Sequence, residues 1–242
     1  MFPTGVVMNV AAVFLGGIIG AAVGSRLSDN FKNQLSSIFG VCAMGMGISA
    51  IMLMENMPAV IFSVIVGTAL GLALHVGENV TKAAGLMQKP IARILKTDAS
   101  AEDEQKKALL VTIIVLFCAS GTGIYGSIDA GMTGNHSVLI SKSILDIFTA
   151  LIFACQLGYV VSVIAIPQFV IFYALFLCAR LIYPLTTPAM INDFKACGGM
   201  LLIATGFRML NLKPLPTADM IPAMILAMPC SWVWTNLIVP ML

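Results

Sequence analysis

The sequence predicts an all-α fold, a polytopic bundle of about eight transmembrane helices, and three observations predict it. Apolar residues make up 59% of the 242 residues, whereas a soluble domain is about half apolar and about a quarter charged. The 13 basic and 11 acidic side chains leave long stretches almost free of charge, and a spanning helix needs about 20 such residues. Segments near the two ends of the chain also resemble one another, as repeats of membrane transporters do.

The composition excludes several classes of protein. So few charges could not cover a soluble enzyme of this size, and the net charge of +2 excludes a nucleic-acid binder with a basic patch. The six cysteines are scattered without a CxxC pair, so we expect small buried apolar side chains rather than disulfides or a metal site. The lipid bilayer is therefore the predicted partner, and no cofactor, metal or nucleic acid is expected.

Eight spans follow from the gaps between charges. They cover about residues 5–24, 35–54, 58–77, 108–128, 138–158, 161–183, 197–212 and 218–240. The spans form one transmembrane domain. Its predicted parts are a first repeat over about 5–77, a loop over 78–107, two central spans over 108–158 and a second repeat over about 161–240.

The loops set the predicted orientation. Arg26 and Lys32 follow the first span, and loop 78–107 holds 11 of the 24 charged side chains, six of them lysine or arginine. The loops at 55–57 and 129–137 contain neither lysine nor arginine. Because basic loops stay in the cytoplasm, both chain ends are expected outside. Apolar residues lie among the basic residues of loop 78–107, which predicts an amphipathic, cytoplasmic surface segment bent at its proline.

An internal repeat appears when the chain is compared with itself. A shift of 159 residues sets three pairs together: Asn9 with Gln168, Gly40 with Gly199, and Gly47 with Gly206. After an insertion of five residues, the segment 57–61 matches 221–225. Spans 1–3 thus resemble spans 6–8. An offset of five spans reverses the direction of crossing, so the sequence predicts an inverted-topology repeat.

The fifth span carries the polar residues that are hardest to explain in a membrane. Lys142, Asp146, Thr149 and Gln156 follow one helical stripe, with Ser143 beside them. A charge at this depth costs about 2.5–3.5 kcal/mol and normally faces the bundle interior or a cavity. One hypothesis is a substrate or ion site in which Asp146 takes a cation or proton and Lys142 is its counter-ion. The alternatives are an ion pair that locks two helices together, or a lysine that reaches the outer interface.

The fourth span ends in a glycine-rich segment, residues 118–129, that contains Ser120, Thr122 and Tyr125. Such a segment either unwinds and presents carbonyls and hydroxyls to a ligand, or packs closely against a neighbouring helix. Asn9 and Gln168 either line the same cavity or bond across helices. Two successive GxxxG motifs in span one predict a helix-contact face.

Four segments together resemble a known family: Gly16-Gly17, Phe117-Cys118, Gly126-Ser127-Ile128-Asp129 and Lys142-Ser143-Ile144-Leu145-Asp146. They are similar to the bacterial membrane proteins of domain-of-unknown-function family 554, over essentially the whole chain. The family often has a glycine where Ile147 stands here. The resemblance implies a bacterial cytoplasmic membrane and directs attention to spans four and five. It does not name a substrate.

These observations favour a small secondary transporter or ion-coupled carrier of a small polar solute or ion. Its predicted site consists of Lys142, Asp146, Ser143, Gln156, Ser120, Thr122, Tyr125, Asn9 and Gln168. An ion channel is one alternative, and a non-transporting accessory or scaffold protein that docks through loop 78–107 is another. We do not expect an enzyme, because no nucleophile–base or metal-ligand pattern is present. A homodimer formed through glycine-rich faces would suit so small a bundle.

Overall fold

The computed structural model describes residues 2–23, 28–92 and 101–241, and all regular structure within them is helical. The helices are α1 Thr4–Val23, α2 Asp29–Ile51, α3 Met57–Ala73, α4 Val76–Ala92, α5 Ala101–Cys118, α6 Gly121–Thr133, α7 Ser137–Leu157, α8 Val160–Val163, α9 Ala165–Ile182, α10 Pro188–Met209 and α11 Ile221–Val233. A 3-10 turn follows α9, and a π-turn with a second 3-10 turn follows α11. The all-α prediction is confirmed.

The helices have the length and composition of membrane spans. In the described residues, six segments are long and apolar enough to cross a membrane: Thr4–Val23, Asn33–Ile51, Leu109–Thr133, Ser137–Leu157, Val160–Leu185 and Ile221–Met241. A seventh is added if α3 and the first part of α4 count as one bent span. The chain is therefore a multi-pass membrane protein with six to seven candidate spans.

Several boundaries differ from the predicted ones, most clearly at three places. Helix α10 begins at Pro188 rather than at 197, because the Thr187 hydroxyl accepts a hydrogen bond from the Met190 amide at 3.3 Å and caps the helix. This earlier start brings polar residues into α10, which is not among the six apolar segments. Helix α2 begins at Asp29 rather than 35. The predicted span 108–128 is divided between α5 and α6.

The charged segment 78–107 is largely helical. Helix α4 runs to Ala92 and includes Pro90, where we expected a bend, and α5 starts at Ala101. Ala84 of α4 is buried and Met87 packs against a core of buried side chains from α5, α7 and α8. This part of the segment is thus packed onto the protein. Residues 93–100, and Arg26 in the first basic loop, lie outside the described residues.

The chain divides into two compact units. Unit 1 consists of Met1–Leu35 and Glu78–Ala179. In it α1 packs along α7, and the glycines of α1 make this possible, because a Cβ at Gly16 or Gly20 would overlap the backbone of α7. The predicted contact face of α1 is therefore confirmed, and it packs inside the chain.

Unit 2 consists of Ser36–Gly77 and Arg180–Leu242. Within it α11 packs against α3 and α10. Helices α2 and α10 also approach closely through glycines. One contact joins Gly40 and Gly206, where a Cβ on Gly40 would lie 3.0 Å from the Gly206 carbonyl oxygen. The other joins Gly47 and Gly199, where a Cβ on Gly47 would lie 2.6 Å from the Gly199 carbonyl oxygen. The numbering rises along one helix as it falls along the other, so α2 and α10 are antiparallel.

Candidate functional site

A buried ion pair on α7 is the centre of the candidate site. The Lys142 Nζ donates to Asp146 Oδ1 at 2.8 Å and to Oδ2 at 2.6 Å. The two residues lie one helical turn apart and are only 5% and 6% exposed. The predicted pairing is confirmed. The pair lies inside unit 1, so Lys142 does not reach an outer surface.

Two amide side chains extend the ion pair across three helices of unit 1. Asn9 of α1 donates through Nδ2 to Asp146 Oδ2 at 2.8 Å. Gln168 of α9 donates through Nε2 to Asn9 Oδ1 at 2.9 Å. Both amides are fully buried. We call these four residues (Lys142, Asp146, Asn9 and Gln168) the polar chain.

The hydrogen bonds of the polar chain can run in only one direction. An ionised Asp146 can only accept hydrogen bonds, so Asn9 must present its NH₂ group to the carboxylate. Asn9 then turns its oxygen to Gln168, which must present its own NH₂ group. The remaining oxygen, Gln168 Oε1, is buried and accepts no hydrogen bond from the described part of the chain.

The helices place the polar chain deep within the bundle. Asp146 is the tenth of the 21 residues of α7, a helix about 31 Å long at 1.5 Å per residue, close to the thickness of the hydrocarbon layer. Close packing of α1 on α7 brings Asn9 to Asp146. Nearby, Ser162 of α8 donates to the Phe14 carbonyl at 3.1 Å and holds α8 against α1.

The other predicted site residues lie outside the polar chain. Ser143 donates to the Leu139 carbonyl of its own helix at 2.7 Å. Ser120 accepts from the Gly123 amide at 3.2 Å and caps α6. Thr122 and Tyr125 are buried within α6. The remaining two predicted stripe residues are Thr149, which donates to the carbonyl four residues before it, and Gln156, which is exposed.

The glycine-rich segment is helical over most of its length. It breaks at Ala119 and Ser120, and α6 then runs from Gly121. A Cβ on Gly123 would overlap the Phe172 ring of α9, and one on Gly126 would lie 3.0 Å from the Leu139 side chain of α7. These glycines therefore serve close packing. An unwound backbone is limited to the two residues of the break.

Unit 2 contains a second buried polar cluster that sequence reasoning missed. Asp193 of α10 is fully buried. Its Oδ1 accepts the backbone amides of Glu55 and Asn56, both at 2.9 Å. Its Oδ2 accepts from Asn56 Nδ2 at 2.9 Å and from Ser231 Oγ at 2.6 Å. Four donors saturate this carboxylate, so it fixes the N-terminus of α3 to α10.

One signal could have indicated this cluster. Asn56 precedes a proline-containing helix start, and Asp193 follows Asn192 in a segment that leads into an apolar stretch. A lone carboxylate at membrane depth needs donors, and a free helix N-terminus supplies them. In the described residues, no three His, Cys, Asp or Glu side chains are grouped so that they could hold a metal ion.

Comparison with known proteins places the chain in a family. Residues 4–232 match the family model described as Protein of unknown function (DUF554). The chain is 45% identical over 228 residues to "Uncharacterized protein YqgA" of Escherichia coli (strain K12), covering 94% of this chain and 96% of that protein. It is 24% identical over 227 residues to "Uncharacterized membrane protein YdfK" of Bacillus subtilis (strain 168), covering 92% and 93%. No solved structure matches the chain. The chain therefore belongs to the DUF554 family, as its sequence motifs predicted.

Proposed function

We propose that this protein is a small secondary transporter or ion-coupled carrier whose site is the polar chain. The observation that carries the proposal is the bond between Asn9 and Gln168. These residues are equivalent under the 159-residue repeat, and they meet beside the buried ion pair of α7. A solute site at the interface of two inverted repeats, near the middle of the bilayer, is the arrangement that secondary transporters use.

Contacts within unit 2 support the inverted repeat. The repeat makes Gly40 equivalent to Gly199 and Gly47 equivalent to Gly206. Exchanging equivalent residues turns the contact Gly40–Gly206 into Gly199–Gly47, which is the other contact observed. A two-fold relation between α2 and α10 requires such reciprocity, and the antiparallel direction of the two helices agrees with an inverted repeat.

The cost of burying the polar chain also favours function. Each buried ion loses several kcal/mol of hydration, and well-packed apolar residues could often replace a purely structural pair without loss of stability. Intramembrane charges commonly mark substrate or ion pathways. Asp146 would take a cation or proton, and Lys142 would be its counter-ion.

The proposed topology has eight spans, and α10 is one of them although it carries a carboxylate. Asp193 is tolerable in a membrane because it is buried and saturated by donors. The basic loops remain cytoplasmic, so the N-terminus lies outside a bacterial cytoplasmic membrane. A homodimer would need a face other than the glycine stripe of α1, since that stripe packs on α7.

The proposal is tested with the full chain purified into liposomes. Under an imposed proton or sodium gradient, uptake is measured across a panel of ions and small organic solutes. We expect at least one solute to accumulate, with Asp146→Asn and Lys142→Met abolishing coupled uptake. Gln34→Leu, at an exposed position of α2, is the control and should transport normally. Normal uptake by both site variants would overturn the proposed site.

Counterflow separates a carrier from a channel. Liposomes loaded with unlabelled solute should transiently concentrate labelled solute, because a carrier exchanges one molecule for another across its alternating states. A channel would equilibrate the label without overshoot. Absence of any flux over the whole panel would favour an accessory role.

A further inference from the structure

A single buried oxygen at the end of the polar chain has no hydrogen-bond partner in the described part of the protein. This atom is Gln168 Oε1, on a side chain that is fully buried. Leaving a buried acceptor without a hydrogen bond destabilises the folded protein. Turning the amide over would not help, because the nitrogen is needed as donor to Asn9. The other residues of the polar chain therefore keep this oxygen in position as an acceptor.

The direction of the hydrogen bonds along the polar chain increases the partial negative charge on Gln168 Oε1. The amides of Asn9 and Gln168 are aligned head to tail, each with its NH₂ group toward Asp146 and its oxygen away from it. Hydrogen bonds arranged in series polarise one another in a low-dielectric interior. Lys142 donates to both oxygens of the same carboxylate. The network therefore runs from a positive end at Lys142 to a negative end at Gln168 Oε1.

The negative end of the polar chain, Gln168 Oε1, selects a ligand by its charge. An anion would be repelled by Gln168 Oε1 and by the nearby carboxylate. A divalent ion prefers six or more oxygen ligands with several carboxylates, whereas the polar chain holds a single carboxylate, already paired. A small monovalent cation needs less compensating charge and is well suited to an amide oxygen.

We propose that Gln168 Oε1 is a ligand of a small monovalent cation, an alkali ion or ammonium, at the end of the polar chain opposite Lys142. The proposal rests on the proposed function, because it assigns the charge class of the ion that the same site takes. Gln168 contributes one ligand, and Asn9 is the positioning residue that keeps the oxygen turned toward the ion.

Binding can be measured on the full chain purified in detergent, without any transport assay. Sodium, potassium and ammonium chloride are titrated at constant ionic strength against N-methylglucamine chloride, a cation too large for the site, and binding is followed by thermal unfolding and by isothermal titration. We expect at least one small cation to bind saturably and to raise the unfolding midpoint. Gln168→Leu should weaken binding about 10-fold to 100-fold, the loss expected for one contact with a charged group.

Two further variants make the test independent of folding defects. Gln168→Glu loses the donor to Asn9 but keeps an acceptor oxygen and adds a charge, so it should bind the cation more tightly than Gln168→Leu. Gln34→Leu removes an exposed glutamine and should bind normally. If the wild type shows no preference among cations, or if Gln168→Leu binds as tightly as the wild type, the inference is wrong and a neutral donor such as water occupies the position. Cation binding without solute flux would leave this inference standing and overturn the carrier. Solute flux without cation binding would leave the carrier standing and overturn this inference.

Discussion

The ion pair of α7 shows how far single residues can be interpreted from sequence. Lys142 and Asp146 stand one turn apart on a helical stripe, and that spacing allows the contact that the structure shows. Thr149 and Gln156 occupy the same stripe but do not join the polar chain, because one bonds to its own backbone and the other is exposed. Helical spacing fixes which residues share a face. It cannot say which part of that face another helix covers.

A double-mutant cycle tests whether the ion pair is needed for stability. Asp146→Leu leaves the Lys142 ammonium buried without its carboxylate and should lower the free energy of unfolding by about 3–5 kcal/mol. Adding Lys142→Met removes the stranded charge and should restore most of that loss. Unfolding in a denaturing detergent gives the free energies. An exposed pair of α4, Glu78 and Lys82 with 3.8 Å between charged atoms, is the control and should contribute little. Purely additive losses at the buried pair would contradict the prediction.

Asn9 and Gln168 were predicted as equivalent residues, and the structure adds that they bond to each other. The sequence left open whether two amides lined a cavity or joined two helices. Only tertiary packing decides such a question, since the residues are 159 positions apart. The contact depends on the approach of α9 to α1, which the glycine spacing of α1 did not specify.

At the scale of helices, small residues decide which elements meet. The GxxxG pattern in α1 predicted a contact face, and α7 occupies that face. The same logic explains α6, where the glycines accommodate Phe172 and Leu139. Sequence offered two interpretations of that segment because a glycine permits both unwinding and close approach. The bulky partners that favour close approach lie on other helices, α7 and α9.

Glycine substitutions test the packing of α1 on α7. A Cβ at Gly20 would overlap the Leu151 backbone, so Gly20→Ala should lower the free energy of unfolding by about 1–3 kcal/mol. The matched control is Gly45→Ala in α2, where a Cβ would meet no atom within 4 Å. That change should raise helix stability by about 0.5–1 kcal/mol. Thermal unfolding in detergent compares both variants. Equal tolerance of the two substitutions would exclude close packing at Gly20.

The cap that Asp193 provides for α3 gives a separate prediction. An asparagine there would direct an NH₂ group at donors such as Ser231 or Asn56, and lose the charge that favours a helix N-terminus. Asp193→Asn should therefore lower the free energy of unfolding by about 2–3 kcal/mol, since hydrogen bonds to a charged group are lost. Chemical unfolding of purified protein measures the change. A stability equal to that of the wild type would mean that the cap is dispensable.

At the scale of the whole molecule, composition and charge placement predicted a helical multi-pass membrane protein, and the sequence motifs indicated its family. Both predictions are confirmed. Composition and charge placement were less accurate about the ends of helices. Helix α10 starts nine residues early because Thr187 and Pro188 form a local start signal, which lies outside the apolar stretch used to place the span. The division into two units was not predicted either. It depends on contacts between distant helices that periodicity does not encode.

The buried carboxylates of Asp146 in unit 1 and Asp193 in unit 2 allow the most direct test of where the function lies. Uptake into liposomes, normalised to the amount of folded protein, is measured for Asp146→Asn and Asp193→Asn side by side. Because Asp146 belongs to the proposed site and Asp193 is saturated as a cap, we expect Asp146→Asn to fold and to transport nothing. Asp193→Asn should yield less folded protein that transports at the wild-type rate per molecule. Normal transport by folded Asp146→Asn protein would contradict the assignment of the site.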